Sequence, residues 1–576
     1  MNLKCVLAAG LASLAMLISI VARAEPRREH QLGGVETVLT TPTLLEPPQQ
    51  PVARLRSRVS RRSAGLTSDG STTAAVIQHW SLECSWSQTR RLTVVSSLEL
   101  ERVAVERVML PCLDGRGLQV GLDQPGVWPA RYVLGQGAAG PAAGTPLALP
   151  AIGLVLTNGQ TLGLALDPFC GVAFQLRASE NGRLAVEMAT VYDGSRVPVS
   201  DQTRTCTVAA MEDPVEAAFA AFYATIPEIR PGPAWLHDIR LVYYDYLSDG
   251  GQGWFRDLDE LTKRIPRRED RRQVLLCLHG WYDYLGRYAF DANQGRLDRE
   301  WMAFPSSRKI PMSVGELRRR LTYARERGFR TVLYLADGVL ADDRAPGFDA
   351  ARVYVDAGGR TNLPVWRGPD TVGANRYQDP SHPAVRRHYL GYLKALIREL
   401  GRDTDGFVWD ETFYLRREWV SKTRPEAPAY VDRAMMTLVA ELVQMTQKLG
   451  KGRLAFLVSD SQGTDPYGLK EPPVPNALVA HGTYQDTGGS PGAWAGNLLP
   501  NYRNVLFSCM WEPIQHPDWN RRNVELWGQP QALSNGWGDD EGPAEMAVKH
   551  PAQLDDILRR FGAERPPRHR FLKQGW

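Results

Sequence analysis

The 576-residue chain has no excess of charge of either sign: 68 Lys and Arg stand against 64 Asp and Glu, a net charge of +4. So balanced a chain offers no basic field for a nucleic-acid backbone. Cysteine is sparse, with 7 residues, no CxxC pair and no zinc spacing. Beyond the first residues there is no apolar run long enough to read as a membrane span. The Gly-rich stretch 248–253 lacks both the GxGxxG order and a phosphate-loop lysine. No GxSxG elbow surrounds Ser459, and His279, His481 and His516 make no HxxxH pair. No metal and no cofactor is therefore expected. What remains, 43 % hydrophobic residues with 52 Gly and 40 Pro, is ordinary globular composition.

The first 24 residues read as a secretory signal: Lys4, an apolar run from Val6 to Val21, then Ala22-Arg23-Ala24 as a small-x-small cleavage site. Cleavage would remove Lys4 and Arg23 and lower the net charge from +4 to +2. The expected location is periplasmic or secreted, with no membrane span after cleavage. An exported chain permits disulfides. Cys84, Cys112, Cys170 and Cys206 allow three pairings that sequence cannot separate, while Cys277 and Cys509 sit in apolar runs and read as small buried hydrophobes.

Residues 25–75 are rich in Pro, Arg and Ser and read as a flexible leader. Residues 76–225 alternate short strand-like runs with turn signals, among them Asn158-Gly159 and Asn181-Gly182, and predict a β-sandwich. From about Trp235 to residue 565 strands alternate with helices. Strands are expected at 241–246, 274–281, 331–337, 406–411, 454–460, 476–482, 504–511 and 530–535. Ser313 and Glu316 form a capping box opening a helix that stops at Gly328. Residues 381–400 carry Val385, Tyr389, Tyr392, Leu393, Leu396 and Leu400 on one helical face. The fold class is α/β: a (β/α)8 TIM barrel preceded by an N-terminal β-sandwich.

Barrel chemistry gathers at the C-terminal strand ends. Those ends carry Asp245, Trp281 with Asp283, Asp337, Asp410 with Glu411, Asp460, His481 with Asp486, Trp511 with Glu512, and Trp537 with Asp539 and Asp540. Carboxylates bind sugar hydroxyls and aromatic rings stack on sugar faces. Two carboxyl groups, one acid and one nucleophile or base, are what glycoside cleavage requires. Trp409 and Asp410 are adjacent on a strand, so Trp409 is expected in the wall and Asp410 facing inward. Tyr282, Tyr284, Tyr288 and Phe290 suit either a sugar cleft or a loop core.

The segment Asp379-Pro380-Ser381-His382-Pro383-Ala384-Val385-Arg386, followed by a helix and Asp405-Gly406-Phe407-Val408-Trp409-Asp410-Glu411, resembles the retaining α-glycosidase barrels, the superfamily of melibiase-type α-galactosidases, α-glucosidases and endo-α-N-acetylgalactosaminidases. The resemblance implies an exported hydrolase of an α-linked glycoside, acting on an oligosaccharide, polysaccharide or glycoconjugate. It implies Asp410 as nucleophile and, as acid/base, Asp486 after the sixth strand or Asp460 after the fifth. Asp245, Trp281, Asp283, Asp337, Glu411, His481, Trp511 and Glu512 are the candidate substrate contacts. Two alternatives remain: a β-glycosidase arrangement using Glu411 and Glu512, and a non-catalytic carbohydrate-binding protein.

Overall fold

The structure is a computed structural model that describes residues 28–32, 35–39, 43–44, 54–66, 73–85, 92–101, 105–111, 117–121, 126–132, 145–146, 151–166, 172–178, 184–192, 202–225, 232–245, 247, 249–336, 338–355, 372–380, 382–410, 420–421, 431–459, 480–486, 505–509, 521, 530–533 and 542–563. The expected signal segment, residues 1–24, lies outside them.

The N-terminal part holds two predominantly antiparallel sheets, of 8 and 7 strands. The Asn158-Gly159 turn joins 151–156 to 161–166 as an antiparallel hairpin, with Gly159 at φ +80°. Helix α1 (Pro214–Ala224) lies on the smaller sheet and is built on alanine: Ala217, Ala218, Ala220 and Ala221 are fully buried. A side chain at Gly163 would put its Cβ 1.9 Å from the Ala217 carbonyl oxygen, so only glycine lets this helix approach so closely.

The expected flexible leader is corrected here. Residues 28–32, 35–39, 43–44 and 54–66 are strands, and Arg54–Leu66 pairs antiparallel with Thr73–Ser85 along its whole length. It forms an edge of the 7-stranded sheet. Arg54, Arg56, Arg58 and Arg62 recur with period two, and a charge-laden edge strand resists pairing with another chain. The same register limits the disulfides. Cys206 faces Trp80 and Cys84 faces Gln202. The two cysteines are therefore offset by roughly 13 Å along the strands and cannot bond each other.

The C-terminal part is one parallel sheet of eight strands: β1 (Leu241–Asp245), β2 (Val274–Leu278), β3 (Arg330–Leu335), β4 (Gly406–Trp409), β5 (Ala455–Ser459), β6 (Gly482–Asp486), β7 (Val505–Cys509) and β8 (Gln531–Ala532). Their order is β7-β6-β5-β4-β3-β2-β1-β8, every pair is parallel, and β7 and β8 lie in contact across the ends. Helices α2 (Gly253–Arg264), α3 (Val314–Arg327), α4 (Pro383–Leu400) and α5 (Val431–Gly450) fall between strands, and α6 (Pro543–Lys549) and α7 (Pro551–Ala563) follow β8. Strands β2 and β4 are buried at every position, which is why they read as continuous apolar runs. Ser313 caps α3 by accepting from the Glu316 N–H at 3.0 Å, and Gly328 ends it at φ +94°. The expected apolar face of α4 is buried throughout.

Candidate active site

Register and alternation decide which residues share a face of the parallel sheet. Tyr244 pairs with Cys277, Cys277 with Val332, and Tyr334 with Val408. Stepping by two along each strand puts Tyr244, His279, Tyr334 and Asp410 on one face. The opposite face meets the helices: Trp409 packs 5.0 Å, ring to ring, from Tyr389 of α4, and the Tyr243 hydroxyl reaches Asp257 of α2 at 2.5 Å.

Asp410 follows the last residue of β4 and is half-buried, whereas all four residues of the strand before it are buried. Its backbone is held on both sides. The Asp410 N–H donates to the Leu335 carbonyl at 2.9 Å, and its carbonyl accepts from the Gly338 N–H at 2.7 Å. Gly338 takes this position at φ +55°. Its own carbonyl accepts from Trp409 Nε1 at 2.9 Å and from the Tyr389 hydroxyl at 3.2 Å. Trp409 thus braces the strand end from behind while Asp410 faces forward, as the alternation predicts. The carboxylate Oδ2 of Asp410 accepts a hydrogen bond from the Tyr334 hydroxyl.

Tyr334 belongs to an aromatic group on that face. Its ring lies 4.2 Å from the His279 ring and 5.2 Å, edge-on, from Tyr244. His279 Nδ1 bonds the Tyr244 hydroxyl at 2.5 Å and Nε2 bonds the Tyr282 hydroxyl at 2.9 Å. Burial, with Arg308 adding to it, pushes the His279 pKa well below the usual histidine value. The ring is therefore neutral near pH 7, with one N–H to donate and one lone pair to accept. Beside Asp410 the site presents phenol hydroxyls and an uncharged imidazole.

Several expected substrate contacts lie elsewhere. Asp245 is fully buried and shares the helix-facing side of β1 with Tyr243, whose hydroxyl is 3.3 Å from its Oδ1. Buried Arg320 of α3 lies within its electrostatic reach. In the Tyr243-Tyr244-Asp245 run it is Tyr244 that faces Asp410's side. Trp281 is 0 % exposed, and its Nε1 donates to the Tyr334 carbonyl at 3.0 Å, so it is a wall residue with no surface for a sugar. Asp283 organises the loop after β2, accepting from the N–H groups of Tyr284 at 2.7 Å and Ala289 at 2.6 Å and pairing with Arg287. Tyr282, Tyr288 and Phe290 form the loop core, with Tyr288 stacked 5.1 Å from Tyr392 of α4.

His481 lies at the wrong end of its strand. The sixth strand was expected over 476–482, with His481 near its C-terminal end, but among the described residues it begins at Gly482. His481 Nδ1 accepts from the Phe456 N–H at 3.0 Å and Nε2 lies 2.8 Å from Gln447. Burial pushes its pKa down to about 4. It is a bonded structural group at the N-terminal end of β6.

Asp337, Glu411, Asp460, Trp511, Glu512, Trp537, Asp539 and Asp540 lie outside the described residues. Asp486 ends β6 in register with Cys509. Counting through Val408, Leu457 and Gly482, it occupies a position of the same parity as Asp410, two residues nearer the C-terminal rim. The residues the sequence reading passed over are Tyr244 and Tyr334. Their common facing comes from the register between neighbouring strands, which the sequence alone does not contain.

The Asp-Pro-x-His-Pro stretch that carries the family resemblance is scaffold. Asp379 accepts from the Tyr354 hydroxyl at 2.8 Å, His382 caps α4 through Nδ1 and Ala384 N–H at 3.1 Å, and Pro383 starts the helix. Among the described residues no three His, Cys, Asp or Glu side chains converge as a metal site. No helix in that set is long and apolar enough to cross a membrane.

No protein-family model matches this chain, and no curated protein matches it. Solved structures similar to it include a GH36 alpha-galactosidase, AgaA, from Geobacillus stearothermophilus, at 12 % identity over 94 % of this chain and 77 % of that one, with a TM-score of 0.49. An alpha-galactosidase from Lactobacillus brevis is 12 % identical over 95 % and 74 %, TM-score 0.49. A cycloalternan-degrading enzyme from Trueperella pyogenes is 11 % identical over 94 % and 82 %, TM-score 0.48. At such scores the likeness carries no argument about chemistry, which rests on the chain's own residues.

Proposed function

We propose that the eight parallel strands close as a (β/α)8 barrel behind a β-sandwich, and that the exported protein hydrolyses an α-linked glycoside with retention of configuration. One observation carries the reading. A half-buried carboxylate, Asp410, stands at the C-terminal end of the fourth parallel strand, its backbone clamped and its Oδ2 hydrogen-bonded by Tyr334. That is where barrels hold their chemistry, and a fixed carboxylate is what a glycosidic nucleophile needs.

Asp410 attacks the anomeric carbon as a second carboxylic acid protonates the departing oxygen. A glycosyl ester forms. Water, deprotonated by the second carboxylate, then displaces Asp410. We assign the second carboxyl to Asp486, because strand register gives it the parity of Asp410. The phenols of Tyr244 and Tyr334 and the neutral His279 supply polar contacts without adding charge. Neither step calls for a cofactor.

The test is hydrolysis of a panel of aryl α- and β-glycosides by wild type, Asp410→Asn and Asp410→Ala. The expected result is activity on an α-glycoside that is lost in Asp410→Asn. Azide should restore turnover to Asp410→Ala, giving an azido sugar of inverted configuration. Full activity in Asp410→Asn, or activity confined to β-glycosides, would overturn the reading.

A further inference from the structure

Tyr334 does more than fill the face beside Asp410. Its hydroxyl donates to one named oxygen, Oδ2. Its ring is 2 % exposed and is held from several sides: by His279 at 4.2 Å, by Tyr244 at 5.2 Å, and through its backbone carbonyl by Trp281 Nε1 at 3.0 Å. His279 is itself fixed at both nitrogens, at 2.5 Å by Tyr244 and at 2.9 Å by Tyr282. A phenol so confined cannot follow its partner if the partner turns.

Resting on the retaining mechanism proposed above, we infer that Tyr334 is the positioning residue of the second half-reaction. It holds Asp410 through Oδ2, fixing the carboxylate toward the anomeric carbon, and it stabilises the carboxylate that departs when water cleaves the glycosyl ester. In the first step a bond forms between C1 and a carboxylate oxygen of Asp410, the C1–leaving-oxygen bond breaks, and the acid partner supplies the leaving oxygen's proton. In the second, water's oxygen bonds C1, its proton passes to the partner, and the electron pair of the glycosyl ester bond returns to Asp410. Tyr334 keeps its own proton throughout.

The asymmetry between the steps follows from charge. A hydrogen bond to a carboxylate is roughly twice as strong as one to a neutral ester oxygen. The Tyr334 bond is therefore weakest in the intermediate and strengthens as Asp410 regains its charge. Removing it raises the barrier to hydrolysis of the ester. The first step already draws charge out of Asp410, so it does not depend on that bond in the same way.

The experiment is Tyr334→Phe, which keeps the ring and removes the donor. It is assayed on an aryl α-glycoside with a good leaving group, alongside the Asp410 variants. The expected result is a fall in kcat of about ten- to a hundredfold, the usual range for losing a hydrogen bond to a charged group. KM should fall with it, so that kcat/KM stays within about threefold of wild type. A pre-steady-state burst of phenol equal to the enzyme concentration should appear, with a glycosylated Asp410 peptide detectable by mass spectrometry. An unchanged kcat would overturn the inference. So would equal losses in kcat and kcat/KM without a burst, the pattern of a merely structural role. Failure of the mechanism itself gives a different signature, retained activity in Asp410→Asn.

Discussion

Asp257 and His481 are buried groups whose titrations oppose each other. Asp257 accepts from the Tyr243 hydroxyl at 2.5 Å and the Ala544 N–H at 2.8 Å, yet burial outweighs both and raises its pKa from 3.8 to about 6. The folded protein then binds a proton there that the unfolded chain has released, so this group's contribution falls as pH rises from about 4 to about 6. His481 runs the other way. Its pKa is lowered from 6.5 to about 4, so the stability it contributes is complete above about 6.5 and is lost as pH falls toward 4. Burial pushes His279 and His388 in the same direction as His481. Three histidines against one aspartate predict a net loss of stability on acidification from pH 6.5 to 4. Asp257→Asn should steepen that loss by up to about 3 kcal/mol, and His481→Gln should flatten it by a similar amount. Urea midpoints measured across this range check both signs; parallel curves for the three proteins would contradict the assignment.

Helix α3 and the sixth strand mark what was and was not legible at the scale of elements. Ser313, Glu316 and Gly328 gave both ends of α3, because caps are local chemistry that a few residues specify. The role of Glu316 was not local. Its N–H does bond the Ser313 hydroxyl, but its carboxylate pairs at 2.9 Å with Arg320, which is 2 % exposed, and with Arg319 at 2.8 Å. A buried guanidinium that loses its hydrogen-bonded counter-ion costs more than a lost cap. Ser313→Ala should therefore lower stability by about 1 kcal/mol, and Glu316→Gln by about 2 kcal/mol or more. A capping box alone would not rank them so, and thermal melts of the two variants decide it. The sixth strand shows the opposite failure. The run 476–482 looked like a strand, yet among the described residues pairing starts at Gly482. Partners across a sheet, which no window of sequence contains, set that boundary, and they moved His481 from one end of the strand to the other. Arg54–Leu66 was missed for a related reason: its period-two arginines were weighed as composition, although alternation is the strand signal and an edge position makes the charge tolerable.

For the molecule as a whole, the order of eight parallel strands turns a set of scattered carboxylates into ranked candidates. Asp410 was readable because its motif, its strand and the alternation past Trp409 agree. Asp245 was not, because Tyr243 and Tyr244 are equivalent to any one-dimensional pattern; only helices α2 and α3 behind β1 decide which way the strand is turned. The proposal of Asp486 rather than Asp460 as acid/base rests on the same counting. Ser459 falls level with Asp410 through Val408 and Leu457, so the parity of Asp410 on β5 belongs to Ser459. On β6 that parity belongs to Gly482, Tyr484 and Asp486. A general acid matters most when the leaving group is a poor one. Asp486→Asn should therefore slow hydrolysis of alkyl or poorly activated aryl glycosides by about a hundredfold or more, within the range usual for acid catalysis. Activated aryl glycosides should lose far less in glycosylation, and azide should accelerate their turnover by intercepting the glycosyl ester without base assistance, leaving a product of retained configuration. Asp460→Asn should leave the leaving-group dependence flat. The reverse pattern, a steep dependence in Asp460→Asn and none in Asp486→Asn, would move the acid/base to the fifth strand and show that the chain after Ser459 turns back toward Asp410.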